Sequence, residues 1–271
     1  MIVFPNAKIN LGLRILGKRS DGYHDIESYM IPVAMADALE IVPSVEGFAF
    51  SSSGLSIDGL PGDNLCVRAY ELMKKNYNIG DVKIHLHKMI PPGSGLGGGS
   101  SDAAFALALM RRIFELKFCN NELEDLAAML GSDCPFFITN KPQLITGTGR
   151  PSHKFIRLQP CHIAIVIPPI RIPTPWAYSV ITPSGRSLPD VETTLANKTK
   201  WTEMIVNDFE EPVFNHYPQL RTIKQALYDA GAFYASMSGS GSALYGLFDS
   251  QPQLNGLFTD CTVWTGFTLQ G

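Results

Sequence analysis

Hydrophobic residues recur at every second position near the start of the chain. Ile9, Leu11, Leu13 and Ile15 in VFPNAKINLGLRILGKR share one side, which is the period of a strand. Residues 17–22 (GKRSDG) predict a turn, and residues 26–41 resume strand-like patterning. In NLCVRAYELMKKNY the spacing changes. Leu65, Ala69 and Leu72 predict a helix behind Asp63-Asn64. Val82, Ile84 and Leu86 then alternate with Lys83, His85 and His87, predicting a half-exposed strand. SSDAAFALALMRRIFEL predicts a helix with Ser100 or Ser101 as N-cap and Asp102 in its first turn. NELEDLAAML predicts another, closed by Gly131. KPQLITGTGRPSHK reads as an exposed connection. A boundary there divides the chain into residues 1–152 and 153–271. Beyond it HIAIVIPP predicts a buried strand, PQLRTIKQALYDAG a helix, and FYASMSGSGSALYGLF two strands around a Gly/Ser turn. Helices and strands mix without regular βαβ alternation, so the expected class is α+β.

Between the half-exposed strand and the helix lies PPGSGLGGGSSDAA, residues 91–104. Gly93-x-Gly95-x-x-Gly98 satisfies a dinucleotide fingerprint, but the strand before it is half polar and Pro91-Pro92 intervene. A Walker A loop is excluded because Gly99 stands where its lysine must be. What remains is general physics. Glycines let backbone N–H groups turn toward one point, and the N-terminus of the next helix adds its unpaired amides and positive dipole end. Pro91, Pro92, Gly93, Ser94, Gly95, Leu96, Gly97, Gly98, Gly99, Ser100 and Ser101 therefore form a candidate polyphosphate cradle. The alternative, a loop that merely needs space, explains less of its setting between a strand and a capped helix.

Composition narrows the partners. The 271 residues are 45% hydrophobic and 17% charged, as in a folded domain rather than a disordered chain. A net charge of −3 and a pI near 6.1 oppose a nucleic-acid surface. Five scattered cysteines, never in a CxxC pair, fit reduced thiols better than a disulfide framework or zinc site. Neither a secretory signal nor a membrane-spanning apolar run is evident, so the expectation is a cytoplasmic protein with no membrane partner.

The glycine run, PNAKINLGLRILGKRSDGYHDIES, LGSDCPFF and SGSGSALYGLF occur in the order found in the GHMP kinases, and nearly the whole chain resembles that superfamily. The resemblance implies a two-domain fold: a first domain like ribosomal protein S5 domain 2 and a ferredoxin-like second domain. The doubled glycine before Ser100-Ser101 points to a branch acting on a cytidine-diphosphate-linked methylerythritol, whose 2-hydroxyl is phosphorylated from ATP in non-mevalonate isoprenoid synthesis. Other readings are a GHMP kinase for mevalonate or homoserine, a nicotinamide oxidoreductase, and an RNA-binding module on an S5-like fold.

The roles that follow are what the resemblance implies for matching positions of this chain. Asp133, between Gly131-Ser132 and Pro135, is by its own surroundings a helix-capping carboxylate. The resemblance makes it the base. Lys8 shares a strand face with Asn10. The resemblance turns that face toward the acceptor hydroxyl, where an ammonium keeps Asp133 ionised and stabilises the developing alkoxide. Rings at Tyr23 and Tyr178 sandwich the cytosine, worth ~1–3 kcal/mol per base stacked. His24 bonds the cytosine edge, and Thr174 lies beside the polyol. Met30 stands where relatives often carry an aromatic. Asn64 and Lys88 match the adenine side, although Lys88 reads equally well as a strand-end charge. Ser238, Gly239, Ser240 and Gly241 approach the substrate phosphates. Mg²⁺ is expected with ATP, and no protein ligand is assignable to it. His85 and His87 read as a solvated strand face. The expected assembly is a monomer or weak homodimer binding small molecules only.

Overall fold

The computed structural model describes residues 1–190 and 197–269. The chain forms two compact units. Met1–Ala7, Met35–Pro92 and Gly97–Asn140 make the first; Lys8–Ala34, Gly93–Leu96 and Lys141–Gly271 make the second.

The first unit holds a sheet in the order β1 (Ile2–Val3), β4 (Ala38–Pro43), β6 (Val82–Lys88), β5 (Ala49–Gly54). β6 is antiparallel to β4, with Leu39 opposite Leu86 and Ile41 opposite Ile84, and parallel to β5. Its alternation is the expected one. Val82, Ile84 and Leu86 are buried against α1 (Leu65–Tyr77) and α2 (Gly98–Ile113), in a core with Met73, Leu107 and Met110. On the other face His85 and His87 bond to the hydroxyls of Ser51 and Ser53 at 2.8–3.0 Å. Asn64 caps α1, its side chain accepting from Cys66 N at 2.8 Å. α3 (Asn120–Ala128) and α4 (Cys134–Thr139) complete the unit. α2 begins earlier than expected. Its N-cap is Gly97, at φ +73°, so Ser100 and Ser101 lie inside the first turn rather than capping it. A left-handed entry is open to glycine and costly to serine, and that moves the start back.

The second unit contains two sheets. One runs β2 (Asn6–Lys18), β3 (His24–Ala36), β7 (Gln143–Gly147), β8 (Arg150–Phe155), with the outer tips of β2 and β3 in the first unit. The other runs β10 (Tyr234–Met237), β11 (Leu244–Phe248), β9 (His162–Ile167), β12 (Thr262–Phe267). Leu13, Ile15, Val166, Met237 and Leu244 share a core with α5 (Thr174–Val180), α6 (Glu210–His216) and α7 (Pro218–Asp229). The stretch read as an exposed connection is the hairpin β7–β8. Gln143 and Ile145 are fully buried, and Gly147 and Gly149 turn the chain at φ +62° and +115°. Two short strands around GTG carry too few alternating positions to stand out. Because β7 pairs with β3, Ile26 opposite Gly147 and Met30 opposite Gln143, a single boundary near residue 152 does not separate the units. Among the described residues no helix is long and apolar enough to cross a membrane.

Candidate active site

The tip of the glycine run, Gly93–Leu96, is built into the second unit. Gly93, Gly95 and Gly97 have φ of +70°, +82° and +73°, so alternate residues turn left-handed. Lys8 N donates to Leu96 O at 2.9 Å, Ala243 N to Ser94 O at 3.0 Å, and Ser238 Oγ to Gly95 O at 2.9 Å. Lys8 Nζ bonds the same Gly95 oxygen at 3.0 Å. A Cβ on Gly95 would lie 2.1 Å from the carbonyl oxygen of Ser238, so only glycine allows the two turns to touch. The run and the SGSG turn, far apart in sequence, are neighbours.

Lys8 and Asn10 share a face, as the strand period requires. Asn10 is not turned outward as a ligand-binding amide: it is buried, its Oδ1 accepting from Lys8 Nζ at 2.6 Å and its Nδ2 donating to Ser28 Oγ at 2.7 Å. Asn207 Nδ2 braces the SGSG turn through Met237 O and Gly239 O at 2.8 and 2.9 Å, and Glu210 holds Met237 N at 2.8 Å. Neither signals itself in NDFEEPVF, because bracing needs only a polar atom at the right end of a fold.

Thr174 opens α5 with its hydroxyl 3.5 Å from that of Ser240. The ring of Tyr178 stacks on His24, centroids 4.9 Å apart, and meets Phe209 edge-on. Tyr23 is 66% exposed in the turn before β3. Two of the three expected cytosine contacts are thus together, with His24 lying on the face of Tyr178.

In the first unit, the run continues from Gly97 into α2. The N–H groups of Gly98, Gly99 and Ser100 precede the first helical bond, from Ser101 N to Gly97 O. Ser101 Oγ is fully enclosed without a hydrogen-bond partner among the described residues. The Ser100 hydroxyl bonds to the thiol of Cys134, which burial pushes up to about 12 and keeps protonated. All five cysteines are free. Asp133 sits half-buried at the N-cap position of α4, yet its side chain makes no capping bond, unlike the capping carboxylate its surroundings suggest.

Lys88 is the largest departure. Its ammonium lies between Asp37 and Asp102, at 2.6 Å from Asp102 Oδ2, and all three groups are buried. Burial works against the Lys88 charge, but the two carboxylates outweigh it and its pKa is raised. Asp37 also accepts from Met89 N and, at 2.8 Å, Ile90 N. The triad therefore ties the end of β6 to the first turn of α2. Burial and the neighbouring Asp37 push the Asp102 carboxyl up to about 7 against the pull of Lys88. Lys88 is committed to this clamp, not held out as a contact for adenine.

No group of three or more His, Cys, Asp or Glu side chains that could hold a metal ion occurs among the described residues. Mg²⁺ arriving with a nucleotide would rest chiefly on phosphate oxygens and water, as is usual for this ion.

Within the second unit, Lys8 and the SGSG turn both meet the tip of the glycine run at Gly95. Residues 64–141 match the GHMP kinases N terminal domain and residues 197–257 the GHMP kinases C terminal domain. The chain belongs to the GHMP kinase family. Among its relatives, a 4-diphosphocytidyl-2-C-methyl-D-erythritol kinase of Parabacteroides distasonis is 44% identical, the alignment covering 98% of this chain and 99% of that one. A kinase of the same name from Azobacteroides pseudotrichonymphae is 49% identical, over 92% and 93%. A crystal structure of 4-(cytidine 5'-diphospho)-2C-methyl-D-erythritol kinase superposes over the whole of both chains, with a TM-score of 0.86 at 33% identity. Mevalonate kinase shares the fold, with a TM-score of 0.67 at 15% identity.

Proposed function

We propose that the chain transfers the γ-phosphoryl group of ATP to the 2-hydroxyl of the methylerythritol unit of 4-diphosphocytidyl-2-C-methyl-D-erythritol, a step toward isoprenoid precursors. The observation that carries this reading is the whole-length similarity to kinases of that name, at 44–49% identity. The chain's own residues supply the parts that such a transfer needs: positioning and neutralisation of charge, with little covalent chemistry. Residues 91–101 receive the triphosphate on main-chain amides. Asp133 accepts the proton of the acceptor hydroxyl. Lys8, directed by Asn10 and Gly95, stabilises the oxygen as charge develops on it. Tyr178, with His24 and Tyr23, takes the cytosine, and Thr174 and residues 238–241 take the polyol and its phosphates. Mg²⁺ bound with ATP would offset the charge of its phosphates. Both substrates are small and water-soluble, which supports a cytoplasmic enzyme, and the assembly expected of it is a monomer or weak homodimer.

ATP consumption measured with the cytidine substrate, and with mevalonate and homoserine as controls, tests the reading. Turnover is expected with the first alone. Consumption with either control and not with the cytidine compound would discard it.

A further inference from the structure

We propose that Ser28 is a positioning residue for phosphoryl transfer: it aims the Lys8 ammonium through a one-way chain of hydrogen bonds. The proposal deepens the reading above and rests on Lys8 acting at the acceptor oxygen. Three bonds carry it, all within the second unit: Lys8 Nζ to Asn10 Oδ1 at 2.6 Å, Asn10 Nδ2 to Ser28 Oγ at 2.7 Å, and Ser28 Oγ to Gly12 O at 2.7 Å. Lys8, Asn10 and Ser28 are 3%, 1% and 0% exposed, so water does not compete along the chain.

The direction of each bond is forced. An ammonium only donates, so Asn10 must present its carbonyl oxygen to Lys8. The Asn10 NH₂ then has to donate, and Ser28 must accept. The one proton of Ser28 is left for the carbonyl of Gly12, which can only accept. No member can reverse without leaving two donors or two acceptors face to face. The Asn10 backbone is held as well, because Tyr245 donates its hydroxyl to the Asn10 carbonyl at 2.8 Å. Asn10 and Gly95 each take one N–H of Lys8, and these two bonds orient the ammonium. Ser28 touches neither end of the reaction. It decides which way the Asn10 amide faces.

The test is a mutant cycle on the full chain with ATP and the cytidine substrate. Ser28→Ala is expected to lower kcat about tenfold while leaving both KM values within about twofold, because it disturbs a group that matters in the transition state. Ser28→Thr, which keeps the hydroxyl, is expected to recover most of that loss. In a Lys8→Ala background Ser28→Ala is expected to add nothing, the signature of action through Lys8. NMR of ¹⁵N-labelled lysine gives a readout independent of turnover: the Lys8 ammonium resonance should shift or broaden in Ser28→Ala. If Ser28→Ala does not fold, Ser28→Cys keeps the volume with a weak donor and carries the same expectations. An unchanged kcat, a loss repeated in full without Lys8, or KM values rising in step with the fall in kcat would each overturn the proposal. So would an unmoved ammonium resonance. A wild-type chain that ignores the cytidine substrate would defeat the functional reading instead, and the NMR result would still judge the relay.

Discussion

Two lysines are buried beside the two ends of one glycine run, and the chain treats them in opposite ways. Lys88, at the end of β6, is enclosed by the carboxylates of Asp37 and Asp102. Lys8, in β2, bonds within its own unit to neutral oxygens, those of Asn10 and Gly95. A lysine paired with two acids has its charge consumed locally and acts as a rivet. The amide and carbonyl oxygens that Lys8 meets within its own unit orient the ammonium without themselves neutralising it. Burial alone therefore does not distinguish a structural from a chemical lysine. What the partners within each unit do is more telling: two carboxylates fix one ammonium, and two neutral oxygens orient the other.

Replacing each lysine with methionine tests the contrast most severely. Lys8→Met is expected to fold and lose at least ~10² in kcat, a loss typical of removing one group that stabilises transition-state charge. Lys88→Met leaves two carboxylates buried without their cation and is expected to cost about 3–5 kcal/mol of stability. Steady-state kinetics and urea denaturation, run on both proteins, separate the outcomes. A stable Lys88→Met enzyme with a raised KM for ATP would return Lys88 to the adenine contact that its sequence position suggests.

Tyr178→Ala moves to the other substrate. With one stacking face gone, KM for the cytidine compound should rise about tenfold, within the ~1–3 kcal/mol that a base stack contributes. The KM for ATP should stay put. Equal changes in both would mean that α5 has moved and no base has been unstacked.

A smaller effect sharpens the rivet itself. The folded-state pKa of Asp102, about 7, lies above the ordinary 3.8, so folding takes up a proton between those values. Its contribution to stability is complete below pH 4 and is lost as pH rises through 7. Asp102→Asn cannot titrate. Its melting temperature should fall less than the wild type's over that window, by about 2 °C or more for a chain of this size. Parallel curves would show that Asp102 is ionised throughout. The smallest change concerns Gln143, whose buried amide has, among the described residues, a hydrogen-bond partner for neither its oxygen nor its nitrogen. Gln143→Leu should leave melting unchanged or raise it slightly, since an unsatisfied buried amide costs about 1–3 kcal/mol. A clear loss of stability would mean that the amide is bonded after all.

Much of this architecture was legible along the chain. The strand periods of β2 and β6, the capped start of α1 and the glycine run each rest on contacts between residues close in sequence, where backbone preference and side-chain period act directly. The β7–β8 hairpin was not legible, since its two strands are short and its burial comes from pairing with a distant β3. The start of α2 was misjudged for a related reason. Two serines look like caps, but a glycine in a left-handed turn leads in earlier.

By itself, then, the order of residues determined most of the strands and helices, where glycines free the backbone between a strand and a helix, and which superfamily the chain resembles. Only the tertiary structure decided that Lys88 is spent on Asp37 and Asp102, that Asn10 serves Lys8, and that Ser238 meets Gly95 across 143 positions. The reason is that a side chain's charge and hydrogen-bonding capacity are local properties, whereas the partner that consumes them is chosen by how distant strands pair and pack.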